Sequence, residues 1–232
     1  MTIEPERSFG RLVAHGLGND QDALYSMRVA LPAAPVWLPN FRYWPHFFAP
    51  SDQGSQSTCV AHALKHWMQT APVIQTSPSK PPFQIDLYRE IALIDEWPQN
   101  DNGDLTWGTS VRAAFKWAQA HGYVTEYRWA LNPTDLSEWL LTKGPVVVGI
   151  GWFDGMMVPD ATGMVVPTGT FRGNHAVLVL GRNRARGDYT LLNSWGTTWG
   201  RNGRARIKDA DLNRLIFEQG GEAAAGLEVR LS

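Results

Sequence analysis

Four polar residues in this 232-residue chain are spaced as acyl-transfer chemistry requires. The chain's single cysteine, Cys59, stands in "SDQGSQSTCVAHALKHW", where apolar residues begin to recur at helical spacing. Cysteine attacks a carbonyl as thiolate, whereas a free thiol with a pKa near about 8.5 is mostly protonated at neutral pH. Unpaired amides in the first helical turn favour negative charge, so a helix starting at Ser57 or Thr58 would help Cys59 ionise. Buried structural cysteines also occur in helices, and this position alone leaves both readings open.

A thiolate nucleophile also needs a base, a group that orients the base, and donors for the oxyanion. The segment "GNHAVLVLG" puts His175 at the leading end of an apolar strand, and "LLNSWGTTWG" puts Asn193 at the trailing end of the next. With "RNRARGDY" as the hairpin turn between them, antiparallel pairing brings the two ends together. Asn193 can then bond one ring nitrogen and leave the other facing the thiol. Gln53 offers a side-chain amide donor upstream of Cys59, whose own backbone N–H is a second.

The elements that must hold these groups follow from periodicity. Val60, Ala63, Leu64, Trp67 and Met68 give the first helix one apolar face, and Pro72 closes it. "IDLYREIALIDEW" reads as a second helix and "SVRAAFKWAQAHG" as a third ending at Gly122. "DLSEWLLTKG" reads as a fourth, with Asp135 and Glu138 placed for a capping box. The character then changes. "PVVVGIGWF", "HAVLVLGRN", "DYTLLNSW", "RARIKD" and "GLEVRLS" are short, β-branched or alternating, and separated by turn residues. Helices first and strands second argue for an α+β fold in two segregated halves. Residues 51–125 would form the helical lobe and residues 126–232 the β-rich lobe. Residues 1–50, with the Pro-rich aromatic run "LPAAPVWLPNFRYWPHFFAP", read as an extended strap over the body. A short occluding segment is the alternative.

Composition narrows the function classes. At 44% apolar residues the chain can bury a real core. Its formal net charge is -1 with both signs interspersed, so no footprint for nucleic acid and no polybasic membrane patch is present. No run reaches the roughly eighteen apolar residues of a membrane span, and "MTIEPERSFGRLVAHG" lacks the apolar stretch of a secretory signal. A soluble, leaderless protein is expected. One cysteine excludes an internal disulfide and any metal site built on two. His62 and His66, four apart, have no third ligand beside them, and solvated or core-edge histidines are expected there. Asp154 and Asp160 read as solvated turn residues. The GxG runs in "GLGND" and "GIGWFDG" do not open a helix after a strand, so neither reads as a nucleotide site. The eleven tryptophans, Trp117, Trp129 and Trp139 among them, read as core or cleft lining.

Taken together, these segments resemble the papain-like cysteine peptidases. "DQGSQSTC" keeps the glutamine–glycine pair and the five-residue gap before the nucleophile. "NHAVLVLG" matches the histidine strand, and "NSWGTTWG" matches the asparagine motif with both tryptophans. The order Cys, His, Asn agrees, and the separations are near the family's usual roughly 130–150 residues. The resemblance covers about residues 50–210. It implies a two-lobed papain-like fold with the cleft between a helical and a β-barrel-like lobe. It further implies Cys59 as nucleophile, His175 as general acid/base, Asn193 as its orienting partner, and Gln53 with the Cys59 amide as oxyanion hole. Trp195 would shield the Asn–His bond. Gly108 or Gly103, Trp107, Asn174 and Trp195 would contact substrate.

The implied activity is hydrolysis of a peptide or protein substrate through a thioester, with no metal or organic cofactor. A transpeptidase or amidase on the same fold, or an inactive peptide-binding homologue, are the alternatives. Gln56, Ser57, Thr58 and Val60 depart from the family's Cys-Gly-Ser/Ala before the nucleophile and Trp after it, which removes a helical-lobe disulfide and alters the cleft floor. Cleavage specificity, oligomeric state and place of action, whether intracellular, virion-borne or injected into another cell, stay open.

Overall fold

The structure is a computed structural model that describes residue 9 and residues 26–32, 37–73, 84–95 and 108–228, with backbone only at 84–86 and 228. In chain order the elements are α1 (Met27–Ala30), β1 (Phe41–Tyr43), α2 (Cys59–Met68), α3 (Gln84–Leu93), α4 (Val111–Ala120), β2 (Val124–Trp129), α5 (Pro133–Thr142) and β3 (Val146–Phe153). They continue with β4 (Phe171–Asn183), β5 (Asp188–Leu192), β6 (Arg204–Lys208), α6 (Asp209–Phe217) and β7 (Glu222–Glu228).

The strands form one antiparallel sheet in the order β2-β7-β3-β4-β5-β6, and β1 adds to the far half of β4. Successive strand residues point to opposite faces, and β4 uses both. Val177 and Val179 enter a core shared with Trp139 and Leu140 of α5 and Leu212 and Leu215 of α6. Ala176, Leu178 and Leu180 enter a second core with Leu64 and Trp67 of α2 and Phe115 of α4. Apolar residues at every position of "AVLVL" are what a strand buried on both faces requires. The result is the α+β, papain-like arrangement expected from the sequence.

Helix α2 is the central element. The expected single apolar face is too narrow, because every residue but Lys65 is buried. It begins at Cys59 after Thr58, whose hydroxyl makes no capping bond. The expected capping box at Asp135 is also replaced: Asn132 caps α5 by accepting from Asp135 N–H at 3.0 Å, with Pro133 as the first helical residue. Ser110 caps α4 through Ala113 N–H.

The last strand begins earlier than expected, at Glu222, with residues 229–232 outside the described residues, and β2, α1 and α6 were not anticipated. Each is short or polar on one face and gains its stability from packing. The hairpin expected at "RNRARGDY" joins β4 and β5, with Asn183 opposite Asp188.

Residues 37–50 cross the body as extended chain. Trp44 N–H donates to Leu180 O at 2.8 Å and its indole N–H to Leu140 O at 2.8 Å. Gly181 permits this passage, because a Cβ there would overlap the Arg42 carbonyl.

Candidate active site

Cys59 is the first residue of α2 and is fully buried. It packs in the core that holds Ala176, the neighbour of His175 in β4. The thiol thus belongs to the first turn of α2, the end of a helix at which a negative charge is favoured. Tyr88 on α3 lies close enough that its phenol is held above the ordinary tyrosine range, first by burial and partly by Cys59.

His175 lies inside β4, which begins at Phe171 and not at the histidine as expected because its first residues pair with β3, and Asn193 directly follows β5, whose Leu192 pairs with Leu178 of β4. His175 Nε2 and Asn193 Oδ1 are 2.8 Å apart and both residues are fully buried. Asn193 Oδ1 also accepts from Ser194 N–H at 2.8 Å, so the amide oxygen faces the ring. That oxygen can only accept, which places the imidazole proton on Nε2. Nδ1 is buried without a hydrogen-bond partner among the described residues. Burial pushes His175 down to about 4, while the bond to Asn193 acts in the opposite direction. A charged imidazolium in this position would need a nearby countercharge.

An aromatic wall encloses that bond. Trp152 stands edge-on to His175 with centroids 4.8 Å apart, and Trp195 lies tilted at 5.1 Å. Trp195 and Trp199 pack edge-to-face behind it at 5.8 Å. Phe9 covers the remaining side: its ring meets His175 edge-on at 5.8 Å and Trp195 at 6.1 Å. Gly173 has a φ of 148°, and a Cβ there would lie 2.8 Å from Phe9 Cβ. Residue 173 must therefore be small for Phe9 to sit where it does.

Gln53 is buried, and three bonds hold its segment. Its backbone N–H donates to Ser194 O at 2.9 Å. Ser194 Oγ–H donates to Gln53 Oε1 at 2.6 Å, and Gln53 Nε2 donates to Gln56 O at 2.7 Å. The Gln56 carbonyl can only accept, so the orientation of the Gln53 amide follows.

The expected substrate-contact residues divide. Gly108 is described, with φ 133°, and the Tyr88 hydroxyl bridges its N–H at 3.2 Å and its carbonyl at 3.4 Å. Asn174 lies in β4 opposite Gly151, half-buried beside His175. Gly103 and Trp107 lie outside the described residues. Trp117, Trp129 and Trp139 are core residues.

Asp154 and Asp160 organise turns: Asp154 accepts from Thr170 N–H and pairs with Arg172, and Asp160 accepts from Thr162 and Met164 N–H. The expectation of solvated or core-edge histidines fails at His62 and His66, which are buried against Ser51. Among the described residues no cluster of His, Cys, Asp or Glu could hold a metal, and no helix is long and apolar enough to cross a membrane.

Sequence reasoning missed Trp152, Ser194 and Phe9. Trp152 was visible as an aromatic in "PVVVGIGWF", but only the β3–β4 register, with Gly151 opposite Asn174, brings it to His175.

A profile of the papain family cysteine proteases matches residues 51–220. Gamete and mating-type specific protein A of Dictyostelium discoideum is 34% identical over 110 residues, 47% of this chain and 23% of that protein. An uncharacterized peptidase C1-like protein of Acanthamoeba polyphaga mimivirus is 22% identical over 203 residues, 68% of this chain and 64% of that protein. The chain thus spans less than two thirds of the length of either relative. Xylellain, a cysteine protease from Xylella fastidiosa, superposes with a TM-score of 0.70 at 17% identity, covering 99% of both chains. A digestive procathepsin proteinase from Tenebrio molitor larval midgut superposes at 0.62 with 18% identity over 95% of this chain and 78% of that one. At such identities the superpositions establish the fold.

Proposed function

This chain belongs to the papain family of cysteine proteases, in a form with a single cysteine and hence no internal disulfide, and from that premise we propose that it is a thiol peptidase acting through Cys59. The observation that carries the proposal is the buried 2.8 Å bond from His175 Nε2 to Asn193 Oδ1, with Nδ1 left for another partner. That tautomer lets Nδ1 take the thiol proton.

In this reading the Cys59 thiolate adds to a peptide carbonyl, and the oxygen takes up the negative charge. The Gln53 side-chain amide and the Cys59 backbone N–H receive it. Collapse of the adduct breaks the C–N bond as His175 returns its proton to the leaving amine, which leaves a thioester. Water then adds to the thioester as His175 takes its proton; the second adduct collapses by breaking the C–S bond, which releases the acid product and returns Cys59 as a thiolate paired with protonated His175. The buried imidazole is poorly suited to carry a charge alone, so the thiolate and the imidazolium stabilise one another. Three aromatic rings around the imidazole, those of Phe9, Trp152 and Trp195, keep water from the Asn193 bond and strengthen it.

The position of Phe9 on Gly173, His175 and Trp195 supports an occluding role for that residue.

Alkylation of Cys59 by iodoacetamide, followed by intact mass across pH, tests the proposal. Rapid modification of the folded protein at about pH 5, where an ordinary thiol is almost wholly protonated, is the expected result. Reaction only after unfolding, both in the whole chain and in a Phe9→Ala variant, overturns it. Cleavage of a fluorogenic peptide, lost in Cys59→Ala, completes the assignment. Product partition with an added amine separates hydrolysis from acyl transfer to amines.

A further inference from the structure

A polar seam that the proposed reaction does not use lies between α2 and the segment leading to Gln53. His62 and His66 are four apart, so both rings leave the same face of α2, and they are 2% and 1% exposed. Both close on Ser51. Its Oγ lies 2.6 Å from His62 Nδ1 and 2.7 Å from His66 Nε2, and its backbone N–H donates to His66 Nε2 at 3.1 Å. On the opposite side the Ser51 carbonyl accepts from Gly196 N–H at 3.0 Å. The chain two residues before Gln53 is thereby fastened to the helix that begins at Cys59 and to the loop that follows Asn193.

We propose that His62, Ser51 and His66 form a clamp that positions the oxyanion hole, holding the Gln53 segment in register with the first turn of α2. These are positioning residues, and the inference rests on the assignment of Gln53 and Cys59 given above. Without the two rings, the half-buried amide and hydroxyl of Ser51 would lose their partners and the segment would shift to recover them. Small displacements of an oxyanion donor are costly, because the donor must meet charge that exists only in the transition state.

Proton positions follow from the network. A backbone N–H can only donate, so His66 Nε2 is an acceptor and carries no proton. The Ser51 hydroxyl then donates to His66 and accepts from His62 Nδ1–H. A proton added to His66 Nε2 would face two donors and open the clamp, whereas one added to His62 Nε2 would leave its bond to Ser51 intact. The groups facing His66 all oppose its charging: His46, edge-on with centroids 5.1 Å apart, His62, Lys65 and Arg204. Lys65 and His175 act in the same way on His62, and Asp52 acts against them. Burial is the largest influence on both rings. The clamp is therefore closed at neutral pH and opens in acid through His66.

Three full-chain variants test this. His66→Leu removes the acceptor. His66→Gln places a non-titrating acceptor near the position of Nε2. Ser51→Ala removes only the hydroxyl and covers the case in which the leucine variant fails to fold. Each is measured for kcat and KM on a peptide substrate and for inhibition by a peptide aldehyde, whose adduct with Cys59 carries the oxyanion. Cys59 alkylation by iodoacetamide, which forms no oxyanion, is the control.

His66→Leu and Ser51→Ala are expected to lose about 10- to 100-fold in kcat and in aldehyde affinity, with KM and alkylation rate within about twofold of the parent. His66→Gln is expected to restore kcat at neutral pH and to abolish the parent's loss of aldehyde affinity in acid. Parental kcat and aldehyde affinity in both disruptive variants overturn the proposal. Equal losses in alkylation rate and catalysis also overturn it, assigning the cluster to packing alone. An unreactive Cys59 in the parent chain is a separate result, which defeats the peptidase assignment and this role with it.

Discussion

Phe9 stands edge-on to His175 with ring centroids 5.8 Å apart, and its Cβ fills the space that a side chain on Gly173 would need. Phe9 is half-buried, so its contact contributes only part of the about 1.5–3 kcal/mol of a fully buried Phe, on the order of 10-fold in an equilibrium between covered and open states. Phe9→Ala should raise both iodoacetamide reactivity of Cys59 at about pH 5 and peptide turnover by up to that factor. Equal rates in parent and variant would show that Phe9 does not limit access.

Asn193→Ala removes the acceptor that fixes the His175 tautomer. Turnover should fall by about 100-fold or more, as when an orienting partner of a catalytic imidazole is lost. The melting temperature should fall as well, since Asn193 is fully buried. Asn193→Asp, which keeps an acceptor at the same place, should retain more activity than the alanine variant, and steady-state kinetics on one peptide decides the order.

Gln53→Ala should cost about 100- to 1,000-fold in kcat, the usual effect of removing one oxyanion donor. Alkylation of Cys59 should be unchanged, because that reaction develops no oxyanion. A variant with full kcat would exclude the Gln53 amide from the hole.

Acid should destabilise the fold through its buried histidines. His46, His62 and His175 are each brought from 6.5 to about 4, burial being the first cause in every case. The unfolded chain binds these protons first, so the stabilisation is complete above about pH 6.5 and is lost as pH falls towards 4. For the more enclosed His62 and His175 the loss is up to about 3 kcal/mol each. Thermal melts of Cys59→Ala, in which no thiolate pairs with His175, should show a steady decline between about pH 6.5 and 4. A flat profile would contradict the burial of these rings. His62→Asn should flatten it in part.

Gly181→Val should detach β1 from β4, because its Cβ would collide with Arg42 O and the Tyr43 backbone. A cost of about 1–3 kcal/mol is expected, typical of overpacking. Hydrogen exchange should show faster loss of protection at Trp44 N–H, which donates to Leu180 O, than at the α2 amides. Uniform loss would mean that the crossing chain and α2 open as one unit.

Long periodic segments were legible, and short ones were not. The apolar run of β4, the hairpin turn after it and the helical spacing through α2 and α4 carried their own signals, because burial on a strand or helix repeats at a fixed period. The strand β2 and helix α6 lack such repeats over enough residues and are held by neighbours distant in sequence. Asn132 was overlooked as the cap of α5 because Asp135 offered a competing signal three residues later. Solvent exposure was also misjudged at His62 and His66, since a polar side chain in a sequence does not announce a buried partner such as Ser51.

The sequence by itself determined the chemical inventory and its order: one cysteine at a helix start, a histidine in one strand, an asparagine at the end of the next, and a glutamine upstream. These are local statements, set by residue type, helical period and the two-residue alternation of a strand. Only the tertiary structure decided what surrounds them. Trp152 reaches His175 through strand register, Ser194 reaches Gln53 across the cores, and Phe9 lies on the imidazole from far along the chain. Each is a contact between residues distant in sequence. Such contacts depend on how two cores share one sheet, and no local pattern of residues carries that information.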